Sequence, residues 1–126
     1  MSTTLILGAS ANPSRYANMA QKQLTQNGHK VLLVNPRGGT VEGIKCFQSV
    51  SDILADSELN GSVETVTIYV KPAILCNVLT DIASLGPRRV IFNPGTESHE
   101  AISYLAAQDI EVEAACTLVL LSLGTY

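Results

Sequence analysis

The residues best placed to do chemistry come early and are mostly small. Gly8-Ala9-Ser10-Ala11-Asn12-Pro13-Ser14-Arg15 follows the apolar run Leu5-Ile6-Leu7. It precedes an amphipathic stretch in which Tyr16, Met19, Ala20 and Leu24 share one face. A strand that passes through such a turn into a helix is a candidate phosphate site. The turn lets backbone approach an anion, and the unpaired N–H groups and dipole of the helix N-terminus attract it. The turn is not the dinucleotide fingerprint G-x-G-x-x-G, which also wants an acid ~20 residues on for a ribose hydroxyl. Only Gly8 fits, because Ser10 and Pro13 stand at the other glycine positions. The second strand leads into Asn35-Pro36-Arg37, with a cation where an NAD site carries its acid. A guanidinium there suits a ribose bearing a further phosphate.

Other catalytic equipment is sparse. His29 follows the helix stop Gly28, and His99 falls in the first turn of a later helix, so both read as surface residues. Glu97 stands where a carboxylate complements a helix dipole. No Ser-His-Asp order, carboxylate pair or metal-ligand spacing is present. Cys46, Cys76 and Cys116 are odd in number and widely spaced, which suggests neither a disulfide framework nor a zinc knuckle. Cys76 fits a helix interior. Cys116 follows the last strand, at the sheet edge that carries the ligand loops, and is a candidate for thiol exchange.

Elements must bring these loops together. Lys30–Val34 is a second strand, apolar without alternation, as suits a strand buried on both faces of a parallel sheet. Thr40–Phe47 reads as an extended excursion turning at Gly43. Ser49 and Asp52 have capping-box spacing, which predicts a short helix over Val50–Ala55. Glu64–Val70 is a third strand. Pro72 opens a helix with the stripe Leu75, Val78, Leu79 and Ile82, ended by Gly86-Pro87. Arg88–Phe92 is a fourth strand. Ser98 caps a helix with the stripe Ile102, Leu105 and Ala106. Glu111–Ala114 is a fifth strand, and Thr117–Leu123 a final helix or an apolar strand, with the helix favoured. The alternation predicts an α/β doubly wound domain with a five-stranded parallel sheet in the order 3-2-1-4-5.

The chain of 126 residues, with a net charge of −3 and a pI near 5.2, is read as one domain spanning residues 1–126. Its acidity argues against nucleic-acid binding, which needs a basic footprint. Met1-Ser2-Thr3-Thr4 lacks a signal-peptide pattern, and the apolar run Leu118–Leu123 is short of the ~20 residues that span a bilayer. A cytoplasmic protein with reduced thiols and no membrane span is expected.

Four segments carry a family resemblance: Gly8-Ala9-Ser10-x-Asn12-Pro13-Ser14-Arg15, Val34-Asn35-Pro36-Arg37-Gly38-Gly39, Gly43-x-Lys45-Cys46 and Ala115-Cys116-Thr117. With them the chain resembles the small single-domain CoA-binding Rossmann proteins. These are related to the CoA-binding N-terminal domain of the succinyl-CoA synthetase α-subunit. The resemblance implies coenzyme A lying across the strand ends. Gly8, Ala9, Ser10, Asn12, Pro13, Ser14 and Arg15 would face its phosphates. Asn35, Pro36 and Arg37 would stand at the basic, glycine-rich loop. Val70, Lys71 and Pro72 would line the adenine, and Asn93, Pro94 and Gly95 the pantetheine arm. The synthetases carry their phosphorylated histidine outside this domain, so no catalytic residue is implied. The favoured reading is a stand-alone module that binds coenzyme A or an acyl-CoA. The alternatives are an NADP-dependent oxidoreductase, which Arg37 would suit, or an interaction subunit using Leu118–Leu123 as a contact surface.

Overall fold

A computed structural model describes residues 2–126. The elements run β1 (Thr3–Leu7), α1 (Tyr16–Gln26), β2 (Lys30–Val34), β3 (Thr40–Val41), β4 (Ile44–Phe47), α2 (Val50–Leu54) and β5 (Thr65–Ile68). They continue with α3 (Pro72–Leu75), α4 (Leu79–Leu85), β6 (Arg89–Phe92), α5 (His99–Ala107), β7 (Glu111–Ala114) and α6 (Thr117–Leu123). Local chemistry sets several boundaries. The Ser49 hydroxyl accepts from the Asp52 amide at 3.3 Å and starts α2, and Ser98 does the same for Ala101 at 3.2 Å in α5. The single helix expected after Pro72 is instead two, because the chain leaves helical geometry at Val78 (φ −121°, ψ 7°). Cys76 closes the first of them and is exposed, not interior. In α5 the buried stripe uses Ala101 and Leu105, while Ala106 faces solvent.

The sheet corrects the expected strand order. It has seven strands ordered β3-β4-β2-β1-β5-β6-β7, all parallel except β3, which runs antiparallel to β4. The stretch read as an excursion is a hairpin around Glu42-Gly43, where both residues have positive φ. Its second strand pairs with β2 through Leu33↔Cys46 and Val34↔Phe47. The outer side of β2 is thereby filled by four residues, and the strand after α2 has to cross the sheet and pair on the far side of β1. The outermost place expected for Glu64–Val70 thus belongs to β4, and β5 is a neighbour of β1.

The two faces of the sheet separate by alternation along each strand. Leu5, Leu7, Leu32, Val34, Val66, Ile68, Val90 and Phe92 pack with Val50, Ile53, Ile82, Leu85 and Leu105 under α2, α4 and α5. Ile6 and Leu33 pack on the other face with Ala17 and Leu24 of α1 and Leu121 of α6. That second face is partly polar. Thr4, Thr65, Thr67 and Arg89 are all buried. Arg89 reaches Glu113 at 3.5 Å, and its guanidinium stacks 4.6 Å from the centre of the Tyr126 ring. No helix among the described residues is long and apolar enough to cross a membrane.

Candidate functional site

Because β4, β2, β1, β5, β6 and β7 are parallel, their carboxyl ends line one edge of the sheet in that order. Gly8 stands at the centre. Its φ of +97° is a glycine conformation, and a Cβ there would lie 2.9 Å from Val70 Cγ1 and 3.0 Å from the Tyr69 carbonyl. The loops after β1 and β5 therefore touch at a position where only hydrogen fits. The amides of Gly8 and Ala9 both donate to the Val34 carbonyl at 3.0 Å. Beyond them the loop folds on itself: Asn12 Oδ1 accepts from the Ser14 amide at 3.0 Å and from the Ser14 hydroxyl at 2.8 Å. Ala11, Asn12, Pro13, Ser14 and Arg15 are exposed.

This loop delivers α1 with an open N-terminus. No side chain caps the helix, and its first turn holds no acidic residue. The amides of Tyr16 and Ala17 have no acceptor among the described residues. Unsatisfied N–H groups at the positive end of an 11-residue helix attract negative charge. Asn18, fully buried in that first turn, fixes the loop from behind. Its Nδ2 donates to the Ser10 carbonyl at 2.9 Å and to Glu42 Oε2 at 3.2 Å, so the loop after β1 and the hairpin share one support.

Next to it, Asn35 ties the β2 loop to the β1 loop. Its Nδ2 donates to the Ala9 carbonyl at 2.5 Å, while its Oδ1 accepts from the Arg37 amide at 2.9 Å. Arg37 follows with an exposed side chain. Among the described residues, Arg15, Arg37 and Lys71 form no ion pair. Three exposed cations thus sit at the carboxyl ends of three adjacent strands in a chain of net charge −3.

The other half of the edge is a buried polar network that the sequence did not reveal. Asn93 is 2% exposed, and its side chain is fully engaged. Its Nδ2 donates to Thr67 Oγ1 at 2.6 Å and to the Ile68 carbonyl at 2.8 Å, and its Oδ1 accepts from the Thr117 amide at 2.9 Å. The Thr67 and Thr117 hydroxyls bond each other at 2.8 Å. Tyr69 closes the network. Burial pushes its phenol up to about 12, against the pull of hydrogen bonds from Thr117 and Thr67, with the nearby Cys116 thiol adding to the rise. Cys116 is half-buried at the start of α6 and lends it no side-chain cap. Asn93, expected along a pantetheine arm, is a structural clamp, and the exposed Pro94 and Gly95 are the parts of that loop open to a ligand. The polar alternation Thr65-x-Thr67 was the available signal for the network. His99 is exposed as expected, but His29 is half-buried between Ser2 and Tyr126. No group of three His, Cys, Asp or Glu residues could hold a metal among the described residues.

A largely parallel sheet with an uncapped helix and exposed cations at its carboxyl edge is an arrangement on which open α/β sheets accommodate ligands. Comparison makes this particular. The family model described as a CoA binding domain matches residues 2–122, and the chain belongs to that family. A crystal structure of an uncharacterized protein matches with 39% identity and a TM-score of 0.90, covering 100% of this chain and 98% of the other. A conserved hypothetical protein from Pyrococcus furiosus matches with 31% identity and a TM-score of 0.75, over 90% of this chain and 92% of the other. The fold also recurs, at 23% identity and a TM-score of 0.70, in an acetyl-coenzyme A synthetase from Ca. Korarchaeum cryptofilum. That match covers 90% of this chain and 25% of the synthetase.

Proposed function

We propose that this protein binds coenzyme A, or an acyl-CoA, across the carboxyl edge of its sheet, as a module without chemistry of its own. The observation that carries the reading is the uncapped N-terminus of α1 flanked by Arg15 and Arg37, both exposed and free of ion pairs among the described residues. The parallel strands bring the loops after β1, β2, β5 and β6 to one edge of the sheet, which supports that placement. The pyrophosphate then sits on Gly8–Arg15, and the phosphorylated ribose beside Asn35, Pro36 and Arg37. Val70, Lys71 and Pro72 line the adenine, and the pantetheine arm runs over Pro94-Gly95 toward Cys116. The thiol of Cys116 would exchange with the disulfide of oxidised coenzyme A, forming a mixed disulfide and releasing one reduced coenzyme A. In this reading the protein works in the reducing cytoplasm.

Calorimetry of wild type and Arg37→Ala with coenzyme A and with dephospho-CoA tests it. A charge-assisted hydrogen bond is worth about 1.5–3 kcal/mol. Arg37→Ala should therefore weaken coenzyme A by roughly one to two decades and dephospho-CoA much less. Equal losses would show that Arg37 does not read the phosphate. Binding of NADP without coenzyme A would favour an oxidoreductase.

A further inference from the structure

We infer that residues 117–126 form a lid over one face of the sheet, hinged at Thr117 and latched by Tyr126. What lies beneath them is the first observation. The sheet face under α2, α4 and α5 is paved with leucine, isoleucine, valine and phenylalanine side chains. Beneath residues 117–126 the strands present Thr4, Thr65, Thr67 and Arg89 instead, all of them buried. Arg89 Nε has no partner among the described residues, and the guanidinium reaches Glu113 and Thr65 only at 3.5 and 3.4 Å. Lifting one of the other helices would put apolar surface into water. Lifting this segment returns hydroxyls and a guanidinium to water, which solvates them and offsets much of the cost of opening.

The second observation is how lightly the segment is held. α6 has seven residues, well below the ~12–15 at which a helix sustains itself in water. Thr117 is its one buried residue, while Val119 and Leu123 are 50% and 69% exposed. The two ends carry the attachment. At one, Thr117 is bonded to Asn93 and Thr67, and that end stays tied. At the other, Gly124 with φ +71° closes the helix, and the Gly124 and Thr125 amides return to the Leu121 and Leu120 carbonyls at 3.2 and 2.9 Å. This turn sends Tyr126 back over the sheet. Its hydroxyl shares a hydrogen bond of 2.5 Å with Thr4, its ring lies 4.6 Å from the Arg89 guanidinium, and it meets the His29 ring edge-on at 5.1 Å. One side chain thus holds the free end of the lid. The hinge lies next to Cys116, so the lid ties the far end of this face to the carboxyl edge of the sheet.

Amide hydrogen exchange of the full chain tests the lid, on wild type, Tyr126→Ala, Tyr126→Phe and Thr4→Val. Tyr126→Ala should speed exchange at residues 120–125 by about tenfold or more, with the amides of β1 and β5 left at wild-type rates. Tyr126→Phe keeps the ring on Arg89 and loses the hydroxyl, so its rise should be about fivefold, as for one net hydrogen bond. Thr4→Val removes the same bond from the sheet side. It should match Tyr126→Phe, and the two together should give no further rise. These two variants keep the test open if Tyr126→Ala folds poorly. Wild-type rates at residues 120–125 in Tyr126→Ala overturn the latch. A rise shared equally by β1 and β5 overturns the lid as a separate unit, since the whole domain would then be opening. Neither outcome turns on whether coenzyme A binds.

Discussion

Replacing Asn93 by alanine should cost about a third of the stability of a typical domain of this size. The side chain makes three hydrogen bonds out of water, to Thr67 Oγ1, the Ile68 carbonyl and the Thr117 amide. The last of these caps α6 from across the sheet, since Cys116 gives that helix no side-chain cap. At about 1 kcal/mol net for each bond, with the usual cost of leaving buried partners unpaired, the loss is roughly 3 kcal/mol. A domain holds only ~5–15 kcal/mol in all. The same loss lowers the melting temperature by about 10 °C for a chain of this length. Urea unfolding gives the free energy directly, and m should stay constant if the native state remains compact. The mechanism is checked by a cycle with Thr67→Val. Asn93 and Thr67 share a bond of 2.6 Å, so the double variant should be more stable than the sum of the single losses predicts, by ~1 kcal/mol. A loss below ~1 kcal/mol in Asn93→Ala, or strict additivity in the cycle, would refute the clamp.

Gly8→Ala should destabilise by at least ~2 kcal/mol, from its left-handed φ together with the contacts on Val70 and Tyr69. Val70→Ala in the same chain should recover part of that, and a Gly8→Ala protein as stable as wild type would contradict the packing described. The Tyr69 phenol has its folded value raised to about 12, so the folded state keeps a proton that the unfolded chain loses above about 10. Stability is then complete below pH 10 and falls between about 10 and 12 by roughly 2–3 kcal/mol. Tyr126, also raised by burial, adds a fall of the same sign. Tyr69→Phe should flatten the slope measured by denaturant unfolding, and an unchanged slope would count against the assignment. Oxidised coenzyme A should add one coenzyme A mass to wild type and none to Cys116→Ser, with reduced coenzyme A still bound. An adduct mapped to the exposed Cys76 would remove the exchange reading.

Much of the fold was legible because local signals were strong. β2 was read at its observed ends, α1 was placed from Tyr16, and the capping serines at 49 and 98 marked two helices correctly. The strand order was not legible, and the reason is specific. Strands of two and four residues around Glu42-Gly43 carry too little pattern to be recognised, yet four residues sufficed to occupy the side of β2 and redirect everything after them. At the candidate site, the open helix end and Arg37 followed from residue type and position. Tyr69 and Thr117 did not, because their roles depend on β5, β6 and α6 meeting, a contact between segments some 50 residues apart. Asn93 was noticed for its place in a turn, but burial set its role.

The pairing of the hairpin has a consequence for how the molecule breathes. β4 is joined to β2 through two registered pairs, against five between β1 and β2. The hairpin can therefore open while the central ladder stays closed, as a cooperative unit of its own. Its opening breaks the bond from the Asn35 amide to the Phe47 carbonyl, while the bond from the Cys46 amide to the Gly39 carbonyl stays within the hairpin. The Asn35 amide should exchange with solvent well ahead of the amides of β1. Asn35 also holds the Ala9 carbonyl, so each opening loosens the loop after β1 without unfolding the domain. Ligand held at Arg37 would then slow exchange at the Asn35 amide, to the extent that it binds the closed form better than the open one. The weakest seam in the sheet thus becomes its most sensitive reporter of occupancy.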